Sequence, residues 1–250
     1  MTLELVTARP ALRVAYLTAI LVFLSGIPGT AHHYFWYGGP SFRLAMGGVF
    51  SFLEPVFLIV SVVRAWMEYR NIRKAGREFP YRWPLYFLTA SSFWNFLGAG
   101  IFDFMINLPI INYYEHATYL TANHDHAALF GVYGMLAIAL ILFLWRGLVD
   151  DKHWNDRILK LSFWGLNATR FIMCAAALLP AGLLQTWHSY SWRFWYARSA
   201  DFYEVPFVQT LGNRRIVPDA IIILLRAVPL LYFLVMTFPR LRRVDKSSVA

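Results

Sequence analysis

The sequence predicts an all-α integral membrane protein, a single domain over residues 1–250 with six transmembrane helices. Hydrophobic residues make up 58% of the chain and charged residues only 15%, unlike the composition of a soluble domain. Aromatic residues reach 18%, which suits the two interfacial belts of a membrane protein. The net charge of +9 comes from basic residues clustered between apolar runs, so it indicates membrane lipid as a partner and excludes nucleic acid.

Six apolar runs are each long enough to cross a hydrocarbon core of about 30 Å, which takes about 20 helical residues. Asp103, Arg170 and Arg226 fall inside three of these runs, so we expect those helices to pack against protein as well as lipid. The predicted helices cover roughly residues 11–33, 44–68, 84–108, 123–146, 158–186 and 217–239. A signal peptide is the alternative for the first run, because Gly-Thr-Ala at 29–31 resembles a cleavage site.

The distribution of basic residues predicts the orientation of these helices. Sixteen of the 23 Lys and Arg residues lie on one side of the six-helix map and five on the other, with Arg170 and Arg226 inside the spans. Loops rich in Lys and Arg face the cytoplasm. Both chain termini are therefore predicted to be cytoplasmic.

Four histidines fall at one predicted depth near the outer membrane face. His32 and His33 end the first run, and His124 and His126 begin the fourth. Because helical residues turn about 100° each, His124 and His126 point about 200° apart and are expected to bind different centres. His32 and His33 follow a Pro-Gly pair that can loosen the helix end, so both imidazoles could converge on one iron, copper or zinc ion. The alternative is that both pairs are interfacial polar residues at helix ends.

Glu54 lies about ten residues into the second run, about 15 Å along a helix. A carboxyl group at that depth is a candidate for carrying protons or supplying charge to a metal. Pro55 follows it and leaves the carbonyl of Ser51 without its helical partner, which adds a polar group nearby. The alternative is a glutamate that a neighbouring helix satisfies, with no catalytic role.

The segment between the last two predicted helices, residues 187–213, is unusually aromatic and is expected to form a lid at the outer interface. An aromatic belt is the favoured interpretation, and stacking of a quinol is the alternative. His116, His153 and His188 are expected to be solvated residues of connecting loops.

Several stretches together resemble one known family. They are GTAHHYFWYGGP, FSFLEPV, YRWPLYF, FWNFLGAGIF, NHDHAALFGVYGMLAIALILF, WNDRILKLSFWGLN, LLPAGLLQTW and WYARS. The chain resembles, from about residue 10 to 240, the C-terminal half of the large subunit of quinol-dependent nitric oxide reductases, within the heme–copper oxidase superfamily. The resemblance implies a protein of the bacterial inner (cytoplasmic) membrane that takes part in reducing nitric oxide to nitrous oxide, with a quinol or a cytochrome as electron donor.

The resemblance also implies residue roles and cofactors. His32 and His33 match two ligands of a non-heme iron, His124 the axial ligand of a high-spin heme, and His126 a ligand of a low-spin heme. Glu54 matches a catalytic glutamate near the non-heme iron. The complete enzyme of this family holds two b-type hemes and one non-heme iron. Arg170 and Arg226 have no match that we can assign, and heme propionates or another subunit are their candidate partners.

The sequence departs from the family pattern in the number of ligands. Such enzymes bind the iron with three histidines and the low-spin heme with two, whereas this sequence supplies two and one. We expect the remaining ligands on a second polypeptide or on helices preceding residue 1. An oxygen-reducing oxidase fragment and a non-catalytic, truncated heme-binding membrane protein are the alternative functions.

Overall fold

The computed structural model describes residues 20, 23, 27–36, 38–76, 79–102 and 106–240, and its regular elements are all helical. Short 3-10 turns lie at Gly29–Tyr34, Asp151–His153 and Tyr196–Arg198. The helices are α1 (Ser41–Lys74), α2 (Arg82–Phe102), α3 (Pro109–Glu115), α4 (Tyr119–Leu148), α5 (Asp156–Ser191), α6 (Ala200–Tyr203) and α7 (Pro206–Arg240).

Four of the helices in the described part of the chain, α2, α4, α5 and α7, are long and apolar enough to cross a membrane. They correspond to the third to sixth predicted spans, which are thereby confirmed as membrane-compatible helices. The second predicted span lies within α1, whose 34 residues extend about 50 Å at 1.5 Å per residue. Most of the first span, 11–33, lies outside the described residues. The six-span topology therefore stays a prediction.

Several boundaries differ from the prediction. The largest difference is at α7, which begins at Pro206 rather than at 217, so residues 206–213 of the predicted aromatic lid are helical. Residues 29–34 form a 3-10 turn rather than the end of an α-helix, because Pro28 and Gly29 interrupt regular helical pairing there. The fifth helix continues to Ser191, five residues beyond its predicted end at 186. The last turn is polar, so the apolar pattern ends before it. The helix continues because Gln185 and Ser189 are held by hydrogen bonds to other parts of the chain.

The core lies where α2, α4, α5 and α7 meet. Its largest enclosed side chains include Trp94 and Phe87 of α2, together with Met135 of α4. A Cβ atom on Gly131 would lie 2.7 Å from the Cβ of Trp94, so only glycine allows α4 to pack this closely on α2.

One carboxylate joins α2 and α5 at their predicted cytoplasmic ends. Asp156, the first residue of α5, accepts a hydrogen bond from the indole Nε1 of Trp83 at 2.5 Å and pairs with Arg82. Its position in the first turn of α5 also suits the positive end of the helix dipole. This contact fixes the register between the two helices.

Each of the four membrane-compatible helices contains a π-helical segment: Phe96–Phe102, His126–Gly134, Cys174–Leu178 and Ile221–Ala227. A π turn inserts one extra residue and weakens the regular backbone pairing, and such turns are frequent at functional sites. Two of these segments lie against each other, since Phe96–Phe102 packs on His126–Gly134. The candidate site is built around this pair.

Candidate functional site

His124 lies on the last turn of the α-helical start of α4 and is only 8% exposed. Its Nδ1 is 3.0 Å from the backbone carbonyl oxygen of Gly98 on α2. A carbonyl oxygen can only accept a hydrogen bond, so Nδ1 carries the proton and donates it. In the neutral imidazole, Nε2 then carries the lone pair and is the nitrogen available to a metal.

Gly98 makes this hydrogen bond possible through the close approach of two helices. A Cβ atom at Gly98 would lie 2.9 Å from the backbone nitrogen of Ala128 and 3.0 Å from the carbonyl carbon of Ala127. These separations are tighter than ordinary van der Waals contacts. The glycine therefore lets the π segment of α2 lie directly against the π segment of α4.

His126 has a different set of neighbours. Its half-buried imidazole lies within electrostatic range of Arg215 and Asp219 on α7 and of Arg170 on α5. Arg215 and Asp219 are themselves an ion pair, with Nε 3.0 Å from Oδ2. The imidazole of His126 thus faces charged groups of α5 and α7, whereas that of His124 is tied to α2.

Arg170 holds the backbone at His126. Its Nη1 donates to the carbonyl oxygen of His126 at 2.6 Å, and only 2% of the residue is exposed. The guanidinium carbon lies 3.8 Å from the ring centroid of Phe130 and 5.7 Å from that of Trp94, so two aromatic faces stabilise the cation. The sequence singled out Arg170 as a charge in an apolar run and suggested heme propionates or another subunit as its partners, but it did not predict this contact with the backbone of His126.

His32 and His33 lie side by side in the 3-10 turn, with ring centroids 4.0 Å apart and the rings tilted by 37°. Nδ1 of buried His32 is 2.6 Å from the carbonyl oxygen of Gly29, so this nitrogen also donates, and Nε2 is the ring nitrogen that a metal could use. His33 is exposed. A Cβ atom on Gly47 would collide with the backbone of Ala31 and His32, so glycine lets α1 support this turn.

The structure brings the histidines together only in part. In the ranges that the structure describes, no three His, Cys, Asp or Glu side chains are grouped to hold a metal ion. Among the described residues, the side chains available to a non-heme iron are therefore the pair His32 and His33. Glu54 lies in the uninterrupted helix α1, and its side chain is outside the described part of the structure.

The residues present fit the implied cofactors to different degrees. His124 fits one axial position on a heme, because the hydrogen bond to Gly98 orients its ring and leaves Nε2 as the nitrogen for a ligand. His126 fits an axial position within electrostatic range of Arg170 and of the Arg215–Asp219 ion pair. The pair His32 and His33 fits part of the ligand set of an iron.

A buried glutamine that sequence analysis missed organises the end of the bundle where α4 begins, which is predicted to be the outer end. Gln185 on α5 is fully buried, and its Oε1 accepts from the backbone N–H of Tyr119 at 2.7 Å. Its Nε2 donates to the carbonyl oxygen of Ala197 at 2.6 Å and to the hydroxyl of Tyr203 at 2.9 Å. Only its place in an apolar helix, in LLPAGLLQTW, could have marked this residue.

Arg198 connects the aromatic segment, residues 187–213, to the helix bundle through hydrogen bonds. Its guanidinium donates to the carbonyl oxygens of Tyr114 at 3.0 Å and His116 at 2.6 Å, and to the hydroxyl of Ser189 at 2.8 Å. Burial, followed by the charge of Arg198, lowers the pKa of His116 below its usual 6.5. The predicted solvated His116 is therefore half-buried at a structural contact.

His188 and His153 also differ from the prediction of solvated loop residues. His188 lies on α5, half-buried among the rings of Trp192, Tyr196 and Phe202, with centroid distances of 5.5–6.2 Å. The extension of α5 to Ser191 moves it out of the loop. His153 is in a connecting 3-10 turn, as expected, but its Nδ1 is enclosed.

These features define the class: an integral membrane protein with a buried imidazole whose Nδ1 is held by a backbone carbonyl oxygen, as in many histidines that ligate a metal. A profile of the family described as Cytochrome C and Quinol oxidase polypeptide I matches residues 5–217, so the chain belongs to this family. A nitric oxide reductase subunit from Stutzerimonas stutzeri is 33% identical over 177 residues, which are 69% of this chain and 36% of that protein. The chain thus spans about a third of the length of this relative.

Proposed function

We propose that the chain is part of a membrane-bound respiratory reductase that converts nitric oxide to nitrous oxide. In this reaction two NO, two electrons and two protons give N2O and water. Family membership supports an oxidoreductase of the heme–copper type, and the similar protein of Stutzerimonas stutzeri carries the name of this activity. The observation that carries the proposal is the hydrogen bond from His124 Nδ1 to Gly98, which leaves Nε2 ready to ligate.

His124 would hold the high-spin heme and His126 the low-spin heme, both of b type. The two residues are separated by one position on α4, so an electron passing from the second site to the first would cross only the width of this helix. When bound, the hemes and iron supply the redox chemistry. The chain orients the ligands and encloses the site with apolar side chains.

We assign the binding of the non-heme iron and the delivery of protons to residues on and just before α1. His32 and His33 would bind the iron through Nε2 of His32 and a ring nitrogen of His33. Glu54 would carry protons or supply charge to that iron. If α1 crosses the membrane as the six-span topology predicts, the position of Glu54, 13 residues after Ser41, would be too deep for an ordinary surface carboxylate.

A second polypeptide, or further helices of a longer chain, would supply the third imidazole for the iron and the second axial ligand of the low-spin heme. This part of the proposal rests on the two-residue donor set at His32 and His33 and on the 36% of the relative that the chain covers. A quinol or a cytochrome would deliver the electrons.

Heme spectra test these assignments. The chain is expressed alone, or together with the region of the Stutzerimonas stutzeri protein that it does not cover. Alone, the chain should bind at most substoichiometric high-spin heme and should not reduce nitric oxide. Co-expression should add a low-spin spectrum, which His126→Ala removes, whereas His124→Ala removes the high-spin signal. His153→Ala, at the opposite end of the bundle, is the matched control and should keep both signals. A bis-histidine low-spin spectrum from the isolated chain would contradict the ligand assignment.

An oxygen-reducing oxidase is the second candidate, because the family description itself names oxidases. Consumption of oxygen without consumption of nitric oxide by the reconstituted complex would select it. Heme binding without either activity would select a non-catalytic heme protein.

A further inference from the structure

Arg226 places a cation in the middle of the apolar helix α7. It lies in the π segment Ile221–Ala227, whose sequence is IIILLRA, and it is half-buried. At 1.5 Å per residue it is about 21 Å from Arg240 at one end of α7 and about 30 Å from Pro206 at the other. On the predicted span 217–239, Arg226 lies about 14 Å from one end and about 20 Å from the other, which places it inside the hydrocarbon region.

A glycine on the neighbouring helix receives the arginine side chain. A Cβ atom on Gly165 of α5 would collide with Cδ, Nε and Cζ of Arg226. The hydroxyl of Ser162 on the same helix donates to the carbonyl oxygen of Arg226 at 3.2 Å. The guanidinium therefore lies across α5 in a notch that only glycine leaves open.

Within the described residues, the cation in this notch has no counterion. Nε of Arg226 is enclosed and has no hydrogen-bond acceptor there. No carboxylate of the described ranges lies within ion-pair distance of Arg226. An arginine at this depth is costly unless it is paired, so the notch calls for an acceptor from outside the described bundle.

The surface beside the notch is apolar and faces outward. Leu161 and Trp164 on α5 are 52% and 62% exposed, and Ile223, one turn before Arg226 on α7, is 58% exposed. Lipid tails could cover the apolar side chains but offer no acceptor to the guanidinium. A transmembrane helix with a carboxylate could do both.

We propose that Arg226 and the Gly165 notch form a docking site for a transmembrane helix of another polypeptide, one that carries an Asp or Glu near its midpoint. The carboxylate would accept hydrogen bonds from the guanidinium, and the rest of the helix would pack on Leu161, Trp164 and Ile223. The charge of Arg226 selects this partner over an entirely apolar helix. The proposal does not depend on heme binding.

The test uses the full chain in phosphatidylcholine bilayers with a synthetic polyleucine transmembrane helix that carries one central aspartate. A polyleucine helix without aspartate is the reference, and energy transfer between labels reports binding. We expect the aspartate helix to bind about tenfold more tightly. Arg226→Met should remove this difference and Arg226→Lys should keep part of it. Arg214→Met, at an exposed position of the same helix, is the matched control and should keep it fully.

Gly165→Ala keeps the charge but fills the notch, so it should also reduce the preference. This variant and Arg226→Lys carry the test if Arg226→Met fails to fold. Equal binding of the two synthetic helices to the unaltered chain would overturn the proposal, as would a preference that survives Arg226→Met. Self-association of the chain that depends on Arg226 would overturn it in favour of a second copy.

Discussion

Gln185 allows the most direct physical test of the fold, because its three hydrogen bonds join the start of α4, the aromatic segment and α5. Replacing it with Met keeps the length and volume of the side chain but removes all three bonds. The carbonyl oxygen of Ala197, a fully buried residue, and the N–H of Tyr119, the first of α4, would lose their partners. A buried group left unpaired costs about 1–3 kcal/mol, and a partly buried hydrogen bond contributes about 0.5–1.5 kcal/mol.

Gln185→Met should therefore lower the free energy of unfolding by about 2–6 kcal/mol. Reversible unfolding in mixed detergent micelles, followed by circular dichroism, measures this change. Gln209→Met is the matched control, because Gln209 is exposed on α7 and the chemical change is identical. Its effect should stay within about 0.5 kcal/mol. Equal effects of the two substitutions would refute the assignment of Gln185 as the polar centre of the outer end.

Three further predictions concern orientation, the heme ligand and pH. Reporter fusions after residue 75 and residue 205 should report opposite sides of the membrane, and the same side for both would contradict the topology. Gly98→Ala should weaken heme retention by pushing α2 from α4, whereas Gly147→Ala should not, because its nearest neighbour atom would be 3.7 Å away. Because burial and Arg198 lower the folded-state pKa of His116, the unfolded state takes up its proton first as pH falls below 6.5. Stability should therefore fall as pH is lowered through 6.5, less steeply in His116→Asn, and parallel pH profiles would contradict this.

The sequence was sufficient for features that depend on local pattern. Apolar runs of about 20 residues predicted the helices that the structure shows as α2, α4, α5 and α7. The spacing of His124 and His126 predicted different surroundings for the two imidazoles, and the structure shows different neighbours for them. Their roles as heme ligands came only from the resemblance and stay a prediction. Contacts across the bundle could not be predicted in this way, since nothing local in the sequence shows that Gln185 meets Tyr119 or that Gly165 receives Arg226. Extension of α5 past residue 186 likewise depends on partners for its polar last turn.

The π segment of α4 separates two requirements within one helix. Before it, His124 must face Gly98, and after it Met135, Ala139 and Leu142 must face the core, where all three are enclosed. One extra residue rotates everything that follows by about 100° relative to an unbroken α-helix. Deleting a single residue from this segment would turn either the histidine or the core stripe toward lipid. The number of residues between His126 and Met135 thus fixes how the two parts of α4 are rotated relative to each other. Insertions and deletions there should therefore be tolerated far less than the apolar composition of the segment suggests.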